Sequence, residues 1–453
     1  MSGIIHFNLF EMNCVGHIQH GLWTHPANNR HRYTDLEYWT DLARLLERGL
    51  FDAVFLADVV GAYDRYRGGP GTAIREAVQI PANDPLLVVP AMAAVTRHLG
   101  FAVTFSTTYE PPFAHARRMS TLDHLTKGRV AWNVVTSYLR SAARNFGLDD
   151  EIEHDLRYEI AEEYLEVLYK LWEGSWEDGA VVRDRERHVY TDPAKVHAID
   201  HAGKHFRVAG PHLSEPSPQR TPVLYQAGNS DRGKEFAARH AEAVFTGAAS
   251  LEALREDIAD TRRRAAAHGR DPAHITFFPS ASVIVARTRQ EVDAKLADLQ
   301  RHIRPEGFLA QRGSGIDLAA YDPDELIDDI VARGGDFTER AVRPLVGRGL
   351  RVRDVLESVG RIGQGPFFVA GTPERVADEI ERWADETGAT GFNLMQYLSP
   401  GTAEDFIELV VPELQRRGRY RTSYEDSTLR ERLLGPGVKR LPATHPGAAH
   451  RRG

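Results

Sequence analysis

The chain contains one cysteine, Cys14, among 453 residues. A single thiol cannot form an internal disulfide. A chain of this length buries about three quarters of its unfolded surface and folds without such a cross-link. Low cysteine use is typical of proteins in a reducing compartment, so we expect a cytoplasmic location.

Long apolar runs and an excess of positive charge are also missing. No run of about 18 apolar residues occurs, so we expect no membrane span. No charged region precedes the apolar amino-terminal stretch, so we expect no signal peptide. The formal net charge is −8, whereas nucleic-acid binding needs a basic face, so we expect no nucleic-acid partner. The only basic end, residues 439–453, is predicted to be a disordered tail.

Motifs for zinc chemistry and for serine hydrolase chemistry do not occur. The sequence has no HExxH, no CxxC and no GxSxG, which are the spacings that those sites use. His17, His20 and His25 are irregularly spaced and have no carboxylate nearby in the sequence. We interpret them as hydrogen-bonded loop or pocket residues and predict no metal site.

Short β-type runs alternate with amphipathic helical segments, which is the pattern of βα units on a parallel sheet. After the first strand, Tyr38, Leu42, Leu45 and Leu46 recur at helical spacing. No glycine fingerprint of an open dinucleotide-binding sheet follows that strand. We therefore predict an α/β fold, a (β/α)8 TIM barrel with long insertions. The eight predicted strands cover residues 4–10, 52–58, 101–107, 129–136, 222–228, 243–247, 275–286 and 391–398.

The barrel is predicted to be a single domain over residues 1–438. Three connections are longer than usual, at about residues 59–85, 174–221 and 287–368. Loops of this length inside a compact domain are usually functional lids or excursions. Residues 287–368 are the predicted lid.

In such a barrel the active site lies at the carboxyl ends of the strands. The predicted strand ends are rich in hydroxyls, amides and histidines and poor in paired carboxylates. The candidates are Asp58 after the second strand, Thr104 in the third, Asn133 and Ser137 at the end of the fourth, Gly228, Asn229 and Ser230 after the fifth, and His17 and His20 after the first.

Two of these segments have two interpretations each. In AGNSDRG, residues 227–233, small residues and a serine at a helix start suit a phosphate, and an ordinary serine N-cap fits as well. In IEHDLRY, residues 152–158, His154 and Tyr158 are candidates for a phosphate and a ring contact, and a helix-capping stretch explains the same pattern. The residue pattern alone leaves both open.

Longer motifs follow the order found in one enzyme family. They include FDAVFLAD, WNVVTS, IEHDLRY and QAGNSDRG, within a match from about residue 4 to residue 435. On these motifs the chain resembles the nitrilotriacetate, dibenzothiophene-sulfone and dimethyl-sulfide monooxygenases of the bacterial-luciferase-like superfamily. The stretches MNCVGHIQHGLWTHP and GTAIREAVQIPANDP are most similar to the dimethyl-sulfide branch.

The resemblance implies an FMNH2-dependent monooxygenase with O2 as co-substrate. It implies a separate NADH-dependent flavin reductase as partner and a homodimer or homotetramer. His17 or His20 is expected to donate a proton or to hydrogen-bond the flavin. Carried over motif by motif, the FMN contacts are Asp58, Thr104, His154, Tyr158 and Ser230, with Asn133 and Ser137 as further candidates.

The expected substrate is a small organosulfur compound such as dimethyl sulfide, oxidised with C–S cleavage. A thioether needs no charged anchor, whereas an aminopolycarboxylate requires several cations, for which Arg140, Arg144 and Arg157 are candidates. A sulfone, an alkane or a natural-product intermediate remains an alternative substrate. A flavin- or F420-dependent dehydrogenase of the same fold is the alternative activity. The aromatic candidates for an apolar pocket, or for the core, are Phe10, Trp132 and Phe245.

Overall fold

Eight parallel strands form the centre of the fold, and each overlaps a strand predicted from the sequence. The computed structural model describes residues 3–452 except 229, 313–315, 336, 338, 343–344, 364 and 366. The predicted (β/α)8 barrel is confirmed. Its strands are β1 His6–Met12, β2 Ala53–Ala57, β3 Gly100–Ser106, β4 Val130–Val135, β5 Val223–Gln226, β6 Ala243–Thr246, β7 Thr276–Val285 and β8 Gly391–Met395.

The sheet closes on itself. Its order is β6-β5-β4-β3-β2-β1-β8-β7, and an additional β6–β7 pairing completes the ring. His6 is in register with Gly391 and Ala243 with Thr276. A further strand, Phe368–Gly371, pairs with the carboxyl half of β7. No strand was predicted there, because the predicted third connection ends at about residue 368.

Helices surround the barrel. The one after β1 buries Tyr38, Leu42, Leu45 and Leu46, which is the predicted stripe. The α-helices span Leu36–Arg48, Gly71–Arg75, Val89–Ala94, Pro112–Thr126, Arg140–Asn145, His154–Tyr169, Asp231–His240, Leu251–Ala267, Arg289–His302, Pro305–Arg312, Ile327–Ala332, Glu339–Val342, Val352–Ser358, Pro373–Thr387, Gly401–Asp405, Val411–Arg416 and Leu429–Leu434. Among these residues, no helix is long and apolar enough to cross a membrane.

Two apolar layers result from the alternation of side chains along each strand. Inside the barrel, Phe10, Phe55, Tyr225 and Phe278 pack together. Outside it, the opposite strand faces pack against the helices. Trp132 belongs to this outer layer, where its ring lies 4.4 Å from that of His115. Trp132 is therefore a core residue, and the pocket interpretation of it was wrong.

The long connections carry their own structure. Residues 181–184 pair with residues 189–191, and residues 201–202 with residues 207–208. The third long connection begins with the helix Arg289–His302, and the segment after it buries a second apolar cluster with the first long connection. In that cluster Tyr63 and Tyr66 pack with Ile327 and Ile330.

The carboxyl-terminal segment seals the amino end of the barrel. Leu429 and Leu433 join the interior cluster. Arg430 donates to both carboxylate oxygens of Glu242, at 2.7 and 3.0 Å, and both side chains are completely buried. Glu242 immediately precedes β6, so this ion pair ties the segment to the barrel floor.

The predicted disordered tail is instead packed. Leu441 and His445 are buried, and His445 Nε2 lies 2.9 Å from the carbonyl oxygen of His240. Arg451 donates to the buried carboxylate of Glu173 at 2.8 Å. The tail was predicted to be disordered, whereas tertiary partners hold this end in place.

We predict that Arg430→Ala lowers the free energy of unfolding by about 3–5 kcal/mol, because it leaves the Glu242 carboxylate buried without its counter-charge. Urea denaturation measures this change. Arg44→Ala is the control, because the Arg44–Asp41 pair is exposed and such pairs contribute about 1 kcal/mol or less. Equal losses in the two variants would contradict the assignment.

Candidate active site

The carboxyl ends of β2 to β5 bring most of the predicted residues to one side of the barrel mouth. Thr104 and Asn133 are register partners on β3 and β4. The Asn133 amide donates to the Thr104 hydroxyl at 2.9 Å, and both side chains are buried. Asn133 is in turn in register with Tyr225 of β5. These strands therefore present a continuous polar edge.

Several buried polar atoms at this mouth have no partner within the described part of the chain. They are Asn133 Oδ1, Gln226 Oε1 at the end of β5 and Thr246 Oγ1 at the end of β6. An unsatisfied buried polar group costs about 1–3 kcal/mol. Three such atoms on neighbouring strands indicate a polar ligand that supplies the missing hydrogen bonds.

Ser137 lies in a strained turn just past β4. Its φ is 56°, in the left-handed region that is unfavourable for a residue with a side chain. The Ser137 hydroxyl donates to the Ser106 hydroxyl at 2.9 Å, and the buried Arg157 guanidinium donates to the Ser137 carbonyl. These bonds hold the turn beside the helix that carries His154 and Tyr158.

A cradle of small and polar residues lies at the start of the helix Asp231–His240. Ser230 caps this helix by accepting a hydrogen bond from the Gly233 N–H at 3.0 Å. His154 Nε2 lies 3.4 Å from the Ser230 hydroxyl. The Arg232 guanidinium lies 5.9 Å from the Tyr158 ring centroid. The helix start favours an anion. Arg232 also lies 3.6 Å from Glu162, and His154 lies 2.7 Å from Asp155.

Two positions of this cradle, Gly228 and Gly233, must be glycine because the Tyr158 hydroxyl lies too close to their backbone for a larger side chain. A Cβ on Gly228 would lie 2.9 Å from the Tyr158 hydroxyl, and one on Gly233 would lie 2.8 Å from it. The two segments of the cradle, residues 152–158 and residues 227–233, therefore contact each other. The sequence pattern left two interpretations open for each of them. Asn229, the remaining candidate of this segment, lies outside the described residues.

Asp58 is held in an unfavourable environment directly after β2. Burial, and then the neighbouring Asp84 carboxylate, raise the pKa of Asp58 to about 7, although the Val59 N–H donates to it. Perturbed carboxyl groups of this kind cluster at functional sites. Asp58 is therefore a candidate for a proton-holding or ligand-binding group at the mouth.

His17 and His20 lie on the loop after β1 and close the opposite side of the mouth. The His17 ring is 4.7 Å from Phe10, whose ring is 5.0 Å from that of Phe245. Burial, and then Arg30 and His20, hold the pKa of His17 well below its usual range. Burial lowers the pKa of His20 to about 4, against a hydrogen bond with Gln311. Both rings are neutral near pH 7.

A buried ion pair fixes this loop, and sequence reasoning missed it. Glu11, at the end of β1, is 3.0 Å from the Arg30 guanidinium and also accepts from the Gln396 amide just after β8. Arg30 donates through its other nitrogen to the His17 carbonyl at 3.1 Å. The only signal in the sequence was a carboxylate inside an apolar strand.

A second missed cluster joins the first long connection to the segment after β4. The Tyr63 hydroxyl donates to Gln79 Oε1 at 2.9 Å and lies 3.0 Å from the Tyr138 hydroxyl. Tyr63 and Gln79 belong to the first connection, and Tyr138 follows Ser137. No motif marks these residues, because their proximity depends on how the connections fold.

The helix Pro305–Arg312 covers the His20 side of the mouth. His20 Nε2 is 3.0 Å from Gln311 Oε1, and the two rings of His20 and Phe308 lie 5.0 Å apart. A Cβ on Gly307 would lie 2.5 Å from the His20 Cβ, so only glycine allows this approach. The predicted lid segment therefore contacts a predicted site residue.

One trio in the described part of the chain has metal-compatible spacing: His25, Asp298 and His302. His25 Nδ1 accepts from the Ala27 N–H at 3.1 Å, so its Nε2 carries the proton that it donates to Asp298 at 2.9 Å. Asp298 also pairs with Arg301. A ligating Nε2 would need the other tautomer, so we interpret the trio as a strap between the β1 loop and the helix Arg289–His302.

Comparison with known proteins is consistent with this geometry. The chain is 57% identical to the long-chain alkane monooxygenase of Geobacillus thermodenitrificans, over 100% of this chain and 99% of that protein. It is 50% identical to the dimethyl-sulfide monooxygenase of Hyphomicrobium sulfonivorans, over 100% of this chain and 94% of that protein. The branch predicted from the sequence is thus among its relatives, and the alkane monooxygenase is more similar still.

Solved structures and a family model give the same result. The crystal structure of a long-chain alkane monooxygenase superposes with a TM-score of 0.93 at 57% identity, covering 100% of both chains. A riboflavin lyase structure with modified FMN and riboflavin gives 0.92 at 39% identity, covering 99% of this chain and 100% of that one. Residues 17–391 match the luciferase-like monooxygenase model, and the chain belongs to the luciferase-like monooxygenase family.

Proposed function

We propose that the chain is the oxygenase component of a two-component system that uses reduced FMN and O2 to oxidise a small, uncharged, apolar molecule. The observation that carries the proposal is the anion cradle at Ser230, joined through Tyr158, Arg157 and Ser137 to unsatisfied polar atoms on β4 to β6. FMN has a phosphate at one end, which matches the cradle, and a polar ring system at the other, which matches the unsatisfied atoms on β4 to β6.

The residues present fit FMN. Ser230, His154 and the helix start at Asp231 would hold the phosphate. Thr104, Asn133 and Gln226 would hydrogen-bond the ring, because two of them retain buried atoms without partners in the described chain. When bound, reduced flavin supplies the electrons that activate O2 for transfer of one oxygen atom.

The chain's own groups would exclude water and control protons. His17 and His20 are neutral, so each serves as a hydrogen-bond donor or acceptor at the mouth and not as a cationic acid. Asp58, with a pKa of about 7, is the better candidate for holding a proton that is passed on near neutral pH. The helix Pro305–Arg312 would act as the lid that keeps the reaction dry.

An apolar substrate is favoured by the charges around the mouth. Phe10, Phe55 and Phe245 form an aromatic wall. Arg140 is 3.1 Å from Asp150, and Arg157 is engaged by Ser137 and Glu151, so two of the three candidate cations for an aminopolycarboxylate already have partners. The candidate substrates are an alkane and dimethyl sulfide, because the two relatives are named after these compounds. The organosulfur substrate expected from the sequence is thus one of two candidates.

A flavin reductase that supplies FMNH2, a homo-oligomeric assembly and a cytoplasmic location complete the proposal. The reductase is supported by the relatives, one of which is named component A of a nitrilotriacetate monooxygenase. The single buried Cys14 supports a reducing compartment.

Turnover tests the proposed function. Purified protein, FMN, NADH and a flavin reductase are supplied with an n-alkane series or with dimethyl sulfide under 18O2, and oxygen uptake and products are measured. We expect one labelled oxygen atom in the alkanol formed from an alkane. From the sulfide we expect substrate-dependent formaldehyde and methanethiol, without retained label, because formaldehyde exchanges its oxygen with water. Substrate oxidation without oxygen uptake would indicate a dehydrogenase instead, and peroxide alone would contradict both substrates.

Asp58→Asn is expected to alter the pH dependence of stability. The raised pKa of Asp58 keeps its carboxyl group protonated in the folded protein up to about pH 7, whereas in the unfolded chain it ionises near pH 4. The stability that this group contributes is therefore complete below about pH 4 and is lost as the pH rises to about 7. The asparagine variant should therefore gain stability over the native protein between pH 4 and pH 8, by up to about 4 kcal/mol.

Chemical denaturation at several pH values measures this gain. Asp41→Asn is the control, because Asp41 is exposed, and its stability difference should not vary with pH. A difference for Asp58→Asn that is constant from pH 4 to pH 8 would show that the carboxyl group is not perturbed in the folded protein.

A further inference from the structure

A separate cavity of about 190 Å³ opens outside the barrel mouth. It lies between the carboxyl end of β7, the helix Arg289–His302 and the segment that follows β8. Val283, Ile284, Leu299 and Leu398 line its apolar side. The cavity lining includes neither the aromatic wall at Phe10 nor the cradle at Ser230. The cavity is therefore separate from the proposed flavin site.

Lys295 provides one unused donor at the polar side of the cavity. Its ammonium donates to Asp405 Oδ2 at 2.6 Å and to the Val285 carbonyl at 3.1 Å. A lysine ammonium has three N–H bonds, and the described part of the chain supplies acceptors for two of them. The Lys295 side chain is 38% exposed, so water reaches the third N–H, and a ligand oxygen would replace that water.

The carboxylates beside Lys295 limit the charge of that ligand. Asp298 and Asp405 both line the cavity, and Lys295 is the only lysine or arginine among its described lining residues. An anionic ligand would face two carboxylates, and like charges at short range are unfavourable. A neutral ligand with one acceptor oxygen and an apolar body meets both conditions.

We propose that this cavity is a second binding site for small, neutral, oxygenated organic molecules such as short alkanols. Its volume suits the size class, because an apolar cavity of about 150 Å³ accommodates benzene. The hydroxyl oxygen of the molecule would accept a hydrogen bond from the Lys295 ammonium, and its apolar chain would lie against Ile284 and Leu299. Such molecules resemble the products that a monooxygenase makes from apolar substrates, but the site itself does not depend on flavin.

Gly401 allows the cavity to be filled without strain. It lines the cavity, and a Cβ there would meet only Leu398, at an ordinary contact distance of 3.7 Å. Gly401→Leu would occupy part of the volume, whereas Gly401→Ala adds one methyl group at the same position. Lys295→Met removes the donor and keeps a side chain of similar length.

Saturation-transfer NMR with the full chain, without flavin, tests the site with 1-hexanol and with hexanoate. We expect 1-hexanol to bind and hexanoate to bind at least about tenfold more weakly. Gly401→Leu should weaken 1-hexanol binding about tenfold, Gly401→Ala should leave it unchanged, and Lys295→Met should weaken it about tenfold through the lost charged hydrogen bond.

Each alternative outcome has a separate meaning. Unchanged 1-hexanol binding in both Gly401→Leu and Lys295→Met, with melting temperatures like that of the native protein, would move the alkanol to another site and overturn the proposal. Equal binding of hexanoate would overturn the ligand class. Failure of turnover with every substrate would refute the proposed function and leave this binding result intact.

Discussion

The closed ring of parallel strands is the constraint on which the rest of the molecule depends. Because all eight strands run in one direction, every carboxyl end reaches the same face, and chemistry accumulates there. The amino end must then be sealed. Leu429 and Leu433 supply the apolar plug, and the Arg430–Glu242 pair fixes it. One end of the barrel is therefore closed and apolar, and the other is open and polar.

At the open end, the barrel buries polar groups that stabilise the fold no more than apolar residues would, and it holds them in a specific arrangement. The Glu11–Arg30 pair is buried, and such pairs are often no more stabilising than apolar residues of the same size. Its effect is to join the end of β1, the residue after β8 and the His17 carbonyl. Three further features have the same character: Asp58 with a raised pKa, Ser137 with a positive φ, and two nearby amide oxygens without partners in the described part of the chain. Together they describe a mouth arranged for a ligand.

Local signals made the barrel predictable. Apolar runs such as residues 52–58 identified each strand, and the parallel direction then identified Asp58, Thr104 and Asn133 as site candidates from their position alone. Features that depend on distant partners were not predictable. The Glu11–Arg30 pair, the Tyr63–Tyr138 contact and the packing of the basic tail on Glu173 all join segments far apart in sequence. Trp132 was ambiguous because an aromatic residue in a strand fits either face of the barrel.

The most direct test of the account is anaerobic titration with photoreduced FMN. The native chain should bind one reduced flavin. Ser230→Ala should bind it at least about tenfold more weakly, because the cradle loses its hydroxyl. Ser250→Ala is the matched control, since Ser250 caps the next helix in the same way, accepting from the Ala253 N–H, and each change costs about 1 kcal/mol of cap stability. Equal affinities in all three proteins would contradict the assignment of the phosphate site at Ser230.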